Sequence, residues 1–122
     1  DKDMRKFVWA LTKLCAEWNT LTVRLMLMAR KDREIISAAS EDYLMYSGYV
    51  MMGYHWARMA AVAYDKLENG GVEAPEFYQA KIQTAEFYFD KLLPRTSGHA
   101  EGMVAPSESM TSMDIENFAF LD

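Results

Sequence analysis

The chain has 122 residues, a formal net charge of −5 and apolar side chains at 51% of its positions. That length suits one domain able to bury a sizeable core, and the apolar content excludes a disordered class. Basic residues are scattered or set beside acids, as in Arg30-Lys31-Asp32-Arg33-Glu34, which excludes a general attraction to nucleic-acid backbones or anionic membranes.

The first residues, Asp-Lys-Asp-Met, hold neither an initiator Met nor the apolar core of a signal peptide, as expected of a processed protein or of a piece cut from a longer one. A first helix is predicted over about residues 3–30. Phe7, Leu11, Leu14, Trp18, Leu21, Leu25 and Met28 recur every three or four positions and make one apolar face. Val8, Trp9, Met26 and Leu27 widen it. Cys15 is alone, so no internal disulfide forms and a reducing, cytoplasmic setting is expected. Among Leu14, Ala16 and Trp18 it reads as a small buried hydrophobe.

Residues 31–39 read as a connection with room for a turn or two of helix. Ser40 suits an N-cap, with Glu41 and Asp42 in the first turn of a second helix over about residues 41–67. The run from Tyr43 to Tyr64 is 22 residues with only His55 and Arg58 as titratable groups besides tyrosines. It is long enough to span a bilayer, but Arg58 lies mid-run and the tyrosines are spread along it instead of forming end belts. A central helix covered on most faces is expected instead. One face carries Tyr43, Ser47, Val50, Tyr54, Ala57, Ala61 and Tyr64; a second carries Leu44, Gly48, Met51, His55, Met59 and Val62. Gly48 and Gly53 each cost about 1 kcal/mol of helix propensity, and a close helix crossing is the simplest compensation.

Asn69-Gly70-Gly71 stops that helix, and Pro75 opens a third over about residues 75–93. Phe77, Lys81, Ala85, Tyr88 and Leu92 share a side, broadened by Tyr78, Ile82 and Phe89, until Pro94 ends or kinks the helix. A Ser/Thr/Gly/Pro-rich stretch follows, anchored by Met103 and Val104, with room for a short helix over residues 97–103 and with His99 in a flexible-looking loop. The end (Met110, Met113, Ile115, Phe118, Phe120 and Leu121) is too apolar for a free tail. The expected fold is a single all-α domain over residues 1–122: an antiparallel bundle of three long helices with a short C-terminal segment packing or docking.

Catalytic chemistry is sparse in this sequence. Two separated histidines and one cysteine make no zinc site, no Glu-x-x-His pair serves a di-iron centre, and Gly70-Gly71 is a helix stop with no phosphate-loop fingerprint. His55 and Arg58 are three apart and can share a helix face. Arg58 either lays its stem on apolar surface and reaches solvent or a carboxylate such as Glu86 or Glu17, or it contacts an anionic ligand or partner. Lys81 and Arg95 either bind phosphate or are simply solvated. The candidate interface or ligand contacts are His55, Trp56, Arg58, Lys81 and Tyr88; no residue is a candidate for catalysis, cofactor or metal binding. A small-ligand site would need a cavity among Tyr54, Arg58 and Tyr88. The surplus of aromatic and apolar side chains points to an interface.

Trp56-Ala57-Arg58-Met59-Ala60, then Phe77-Tyr78-Gln79-Ala80-Lys81 with Ala85, Phe87, Phe89, Leu92, Leu93 and Pro94, resemble a known family in order and spacing. The Asp42-Tyr43-Leu44 opening of the second helix and the closing Ser109-Met110 to Met113-Asp114 stretch agree. Over nearly the whole chain the sequence resembles the C-terminal helical domain of long, multidomain acyl-CoA dehydrogenases. The resemblance implies an accessory domain supporting assembly and acyl-pocket shape, with the FAD and the catalytic glutamate held by upstream domains of the same chain and no cofactor in this one. It also implies a homo-oligomeric parent enzyme, with no nucleic acid and no membrane span. The alternative from the residues alone is a free-standing helical interaction module, possible as a homodimer.

Overall fold

The computed structural model describes residues 2–118, and every regular element in that range is helical. Helix α1 (Arg5–Met28) follows a 3-10 turn, α2 (Ile35–Asn69) is the long element, and α3 (Pro75–Phe87) runs on through a π turn and a 3-10 turn into α4 (Thr96–Met103). A one-turn helix, α5 (Glu108–Thr111), lies near the end of the described chain.

The buried side chains fix the directions. Phe7, near the start of α1, packs with Ala57 and Ala60 in the second half of α2. Leu21 and Leu25, near its end, pack with Ile35, Ala39, Tyr46 and Val50 in the first half. The two helices are therefore antiparallel. Tyr78 and Ile82 of α3 meet Ala63, so α3 turns back along α2, and Met103 of α4 joins the cluster at the other end. The predicted stripe of α1 faces this core: Phe7, Leu21 and Leu25 are buried, and Leu11, Leu14, Trp18 and Met28 are partly so.

Several local expectations are corrected. Helix α2 begins at Ile35, one and a half turns before the predicted start, because fully buried Ile35 and Ala39 tie those turns to α1. Ser40 is thus inside the helix, where its hydroxyl donates to the Ser37 carbonyl at 2.8 Å, and it caps nothing. The turn is held instead by Asp32, whose Oδ1 accepts the Glu34 N–H at 3.1 Å. Asp42 lies in the second turn of α2, past the helix dipole's positive end. It pairs with His99 Nδ1 at 2.8 Å, which places His99 in the ordered helix α4 and not in a loop. Cys15 is exposed, one position beyond the inward-facing Leu14.

Two helix ends follow their chemistry. Gly70 has φ 88°, a left-handed value that suits glycine, and its N–H closes the last turn on the Lys66 carbonyl. Pro75 takes the first turn of α3. Ahead of Pro94 the helix widens into the π turn Tyr88–Leu92, in which the Leu93 N–H reaches the Tyr88 carbonyl. A wide turn accommodates the ring and the missing donor of Pro94 without ending the helical path.

The buried hydroxyl of Tyr46 donates to Glu17 Oε1, and burial together with that carboxylate pushes its pKa well above the usual tyrosine range. A second internal anchor fastens the C-terminal segment. Ser107 Oγ donates to the Asp32 carboxylate at 2.7 Å, and the Ser107 N–H approaches its Oδ2 at 3.3 Å. The Ser107 hydroxyl is the main reason the Asp32 pKa lies below its ordinary value. A depressed carboxylate stabilises the fold above the unfolded pKa, and that contribution is lost as pH falls through the folded one. Residues 105–112 are therefore expected to loosen first on acidification. Asp32→Asn should produce the same loosening at neutral pH, read as faster hydrogen exchange or proteolysis confined to that segment. Beyond it, Met110, Met113, Ile115 and Phe118 remain exposed; Phe120 and Leu121, part of the same apolar expectation, lie outside the described residues.

Candidate functional site: a cation-bordered groove beside the central helix

The core face of α2 is Tyr46, Val50, Gly53, Ala57 and Ala60, small toward its middle. At Gly53 an added Cβ would stand 3.2 Å from Leu11 Cδ2 and 3.3 Å from Leu93 Cδ1, so the crossing of α1 and the α3–α4 arm over α2 needs a glycine-sized residue there. Gly48 has nothing within 4 Å. It belongs to the opposite face, and that face is open: Leu44 is 70% exposed, with Met51, His55, Met59 and Val62 also exposed. Among the described residues the long helix is thus covered on one side only, and the expectation of a helix enclosed on most faces is corrected.

Where this open face meets α3, the chain forms a groove of about 440 Å³. Its floor is Met59, Val62, Ala63, Phe77 and Tyr78, and its rim carries His55, Arg58 and Lys81. Tyr78 is held rigidly: its ring meets Phe77 edge-on at 5.4 Å and its hydroxyl accepts the Glu73 N–H at 3.2 Å. A Cβ at Gly71 would overlap that hydroxyl, which explains the second glycine after α2. Phe77 is half exposed on the groove floor.

Among the described residues the rim cations have no carboxylate in ion-pair contact. Arg58 lies over the Tyr54 ring at 5.8 Å and Lys81 over the Phe77 ring at 5.1 Å, while neither forms an ion pair among the described residues. The carboxylates considered for Arg58 are engaged elsewhere, Glu86 with Lys6 at 2.8 Å and Glu17 with Tyr46. Cations lying on aromatic faces keep their stems on apolar surface and their charge available.

Three of the five candidate residues, His55, Arg58 and Lys81, therefore meet in one groove. The other two do not. Trp56 is half-buried against the Phe7 cluster. Tyr88 is buried against Gly53, with its hydroxyl donating to the Tyr49 carbonyl at 2.7 Å and its pKa pushed up to about 12 by burial. Tyr54 and Arg58 touch, but Tyr88 is not with them, so the cavity a small-ligand site required among these three is not formed. The floor residues Met59, Val62 and Tyr78 were not among the candidate contacts; the signal for Met59 and Val62 was the second apolar face of α2, and for Tyr78 the broadened apolar side of α3.

No group of three His, Cys, Asp or Glu side chains able to hold a metal ion occurs among the described residues. No helix among them is long and apolar enough to cross a membrane. Neither curated proteins nor solved structures give a match to the chain. Among protein families, residues 1–114 match the one described as "Acetyl-CoA dehydrogenase C-terminal like". With almost the whole sequence covered and an all-helical fold behind it, the chain belongs to this family of acyl-CoA dehydrogenase C-terminal domains.

Proposed function

We propose that this domain is the non-catalytic accessory part of an FAD-dependent acyl-CoA dehydrogenase and docks on the upstream domains of its own chain, over residues 1–122 as one unit. In such an enzyme FAD supplies the hydride acceptor for oxidation of the acyl-CoA, and that chemistry is assigned to the upstream domains. The observation that carries the proposal is the outward face of α1. Trp9 is 72% exposed beside Val8, and Val23, Met26 and Leu27 are exposed about four turns further along. The sole carboxylate of α1, Glu17, is turned to Tyr46, while Arg5, Lys13 and Arg24 are exposed. Two exposed apolar patches bordered by cations suit a protein surface with complementary acids. Helix α1 is also the element nearest in sequence to upstream domains. Among the candidate residues, His55, Arg58 and Lys81 are proposed as contacts that shape the assembly beside the groove, and Trp56 and Tyr88 as core.

The test is Trp9→Glu with Leu27→Glu in the full-length dehydrogenase. Both positions are exposed, so the domain itself should fold, while the enzyme is expected to melt several degrees lower and to release a protease-sensitive C-terminal domain. The 122-residue chain alone is expected to retain no flavin. An unchanged melting temperature and digestion pattern, or flavin absorbance copurifying with the chain alone, would overturn the reading.

A further inference from the structure

We infer that the open face of α2 seats a second copy of this chain, with the two α2 helices antiparallel about a twofold axis near their middles. The inference stands apart from the docking of α1, because it uses no property of an upstream domain; the two surfaces adjoin where Met26 and Leu44 line one groove, and the α1 test substitutes Trp9 and Leu27, which lie outside that groove.

Four observations carry it. First, Leu44, Gly48, Met51, His55, Met59 and Val62 follow one another at spacings of three and four along the exposed face, the pattern of a seam between two helices. Second, the face is electrically lopsided. Residues 35–52 contain Glu41 and Asp42 and no base; Asp42 is turned inward to His99, which leaves Glu41 outward. The other half carries Arg58 and Lys66 with Asp65 and Glu68, and Lys81 lies across the groove; Glu68, three turns from core-facing Ala57, is off the open face, where two cations stand beside the one carboxylate of Asp65. An antiparallel copy lays the acidic end of each helix on the basic end of the other, twice by symmetry. A parallel copy would set like on like.

Third, the side-chain sizes agree with that register. Leu44 then faces Val62 of the other copy, Met51 faces His55, and Gly48 faces Met59. Gly48 sits in mid-helix with open space around it, at a cost of about 1 kcal/mol against alanine. A partner side chain lying over it gives that glycine the role which contacts within one chain do not. Fourth, Glu41 and Lys66 come together in the same register. Within one helix they are about 37 Å apart and cannot pair.

Sedimentation of the chain at micromolar concentration is expected to give a dimer. Leu44→Glu, at an exposed position, should leave the helical circular dichroism intact and weaken association at least about tenfold. Glu41→Lys and Lys66→Glu should each weaken it, and the two together should restore it, since the reversed pair can form only across copies. For register, Leu44→Cys and Val62→Cys are made in a Cys15→Ser background, because Cys15 is exposed. A mixture of the two is expected to cross-link on mild oxidation, and Leu44→Cys alone is not. A monomer at all concentrations, a dimer indifferent to Leu44→Glu, a charge swap that fails to rescue, or self-linking of Leu44→Cys would each overturn the proposal.

Discussion

Replacing Phe7 with alanine is expected to destabilise the chain by about 3–5 kcal/mol, a large share of the roughly 5–15 kcal/mol that holds a small domain folded. Phe7 is fully buried and its ring meets Phe89 edge-on at 4.8 Å. The other buried members of its cluster are Ala57, Ala60 and Ala85, with Met4, Leu11, Trp56, Tyr64 and Phe89 packed around them. The alanines have no side-chain length with which to close a hole, so any filling must come from the longer side chains at its edge, and the cost depends on how far those move. Loss of the aromatic pair adds about 0.5–1.5 kcal/mol. Urea unfolding followed by circular dichroism checks this, with Lys6→Ala as the control. That residue joins the same two helices through an exposed ion pair to Glu86, and exposed pairs contribute at most about 1 kcal/mol. If both substitutions cost the same small amount, α1 and α3 are not fastened by Phe7.

What was legible in the sequence was set by local signals. The stripe of α1, the proline at the start of α3, the glycine stop after α2 and the apolar anchor Met103 all act within a few residues of themselves, and each appears where the pattern placed it. The start of α2 was misread because Ser40, Glu41 and Asp42 imitate a helix opening. The competing signal is burial of Ile35 and Ala39 against residues on α1, which local chemistry does not reveal. Asp42 and His99 were read separately for the same reason: 57 positions separate the two members of that pair.

The hardest feature to read was the apolar excess of α2. A helix hydrophobic on every face is the signature of one enclosed by its own chain, yet among the described residues α1 and the α3–α4 arm pack on α2 against one side. The second apolar face was visible in the sequence as a spacing; its exposure was not. Pattern identifies a surface that wants covering, and only the fold says whether the chain itself covers it. The same holds for the groove. The spacing of His55 and Arg58 placed them together, but the addition of Lys81 and the separation of Tyr88 depend on how α3 turns around its axis.

The two mid-helix glycines turn this distinction into opposite expected results. Valine at Gly53 must place three carbons where one already comes within 3.2 Å of Leu11 and 3.3 Å of Leu93. Those neighbours sit at a crossing of three elements and have little room to retreat, so overpacking is expected to cost about 3 kcal/mol. Alanine at the same position should be near neutral, because the few tenths of an ångström it needs can come from leucine methyls while it regains about 1 kcal/mol of helix propensity. Gly48 meets no such constraint within its own chain. In a Leu44→Glu background, which removes the proposed partner, alanine at Gly48 is expected to stabilise the fold by about 1 kcal/mol. Leucine at Gly48 in the otherwise natural chain should leave the fold intact and weaken association, since it fills the space the other copy's Met59 is proposed to occupy. Denaturation and sedimentation on this set separate a glycine required inside the domain from one required between domains. Equal losses of stability for valine at Gly53 and leucine at Gly48 would place both glycines in a single buried crossing and contradict an open face on α2.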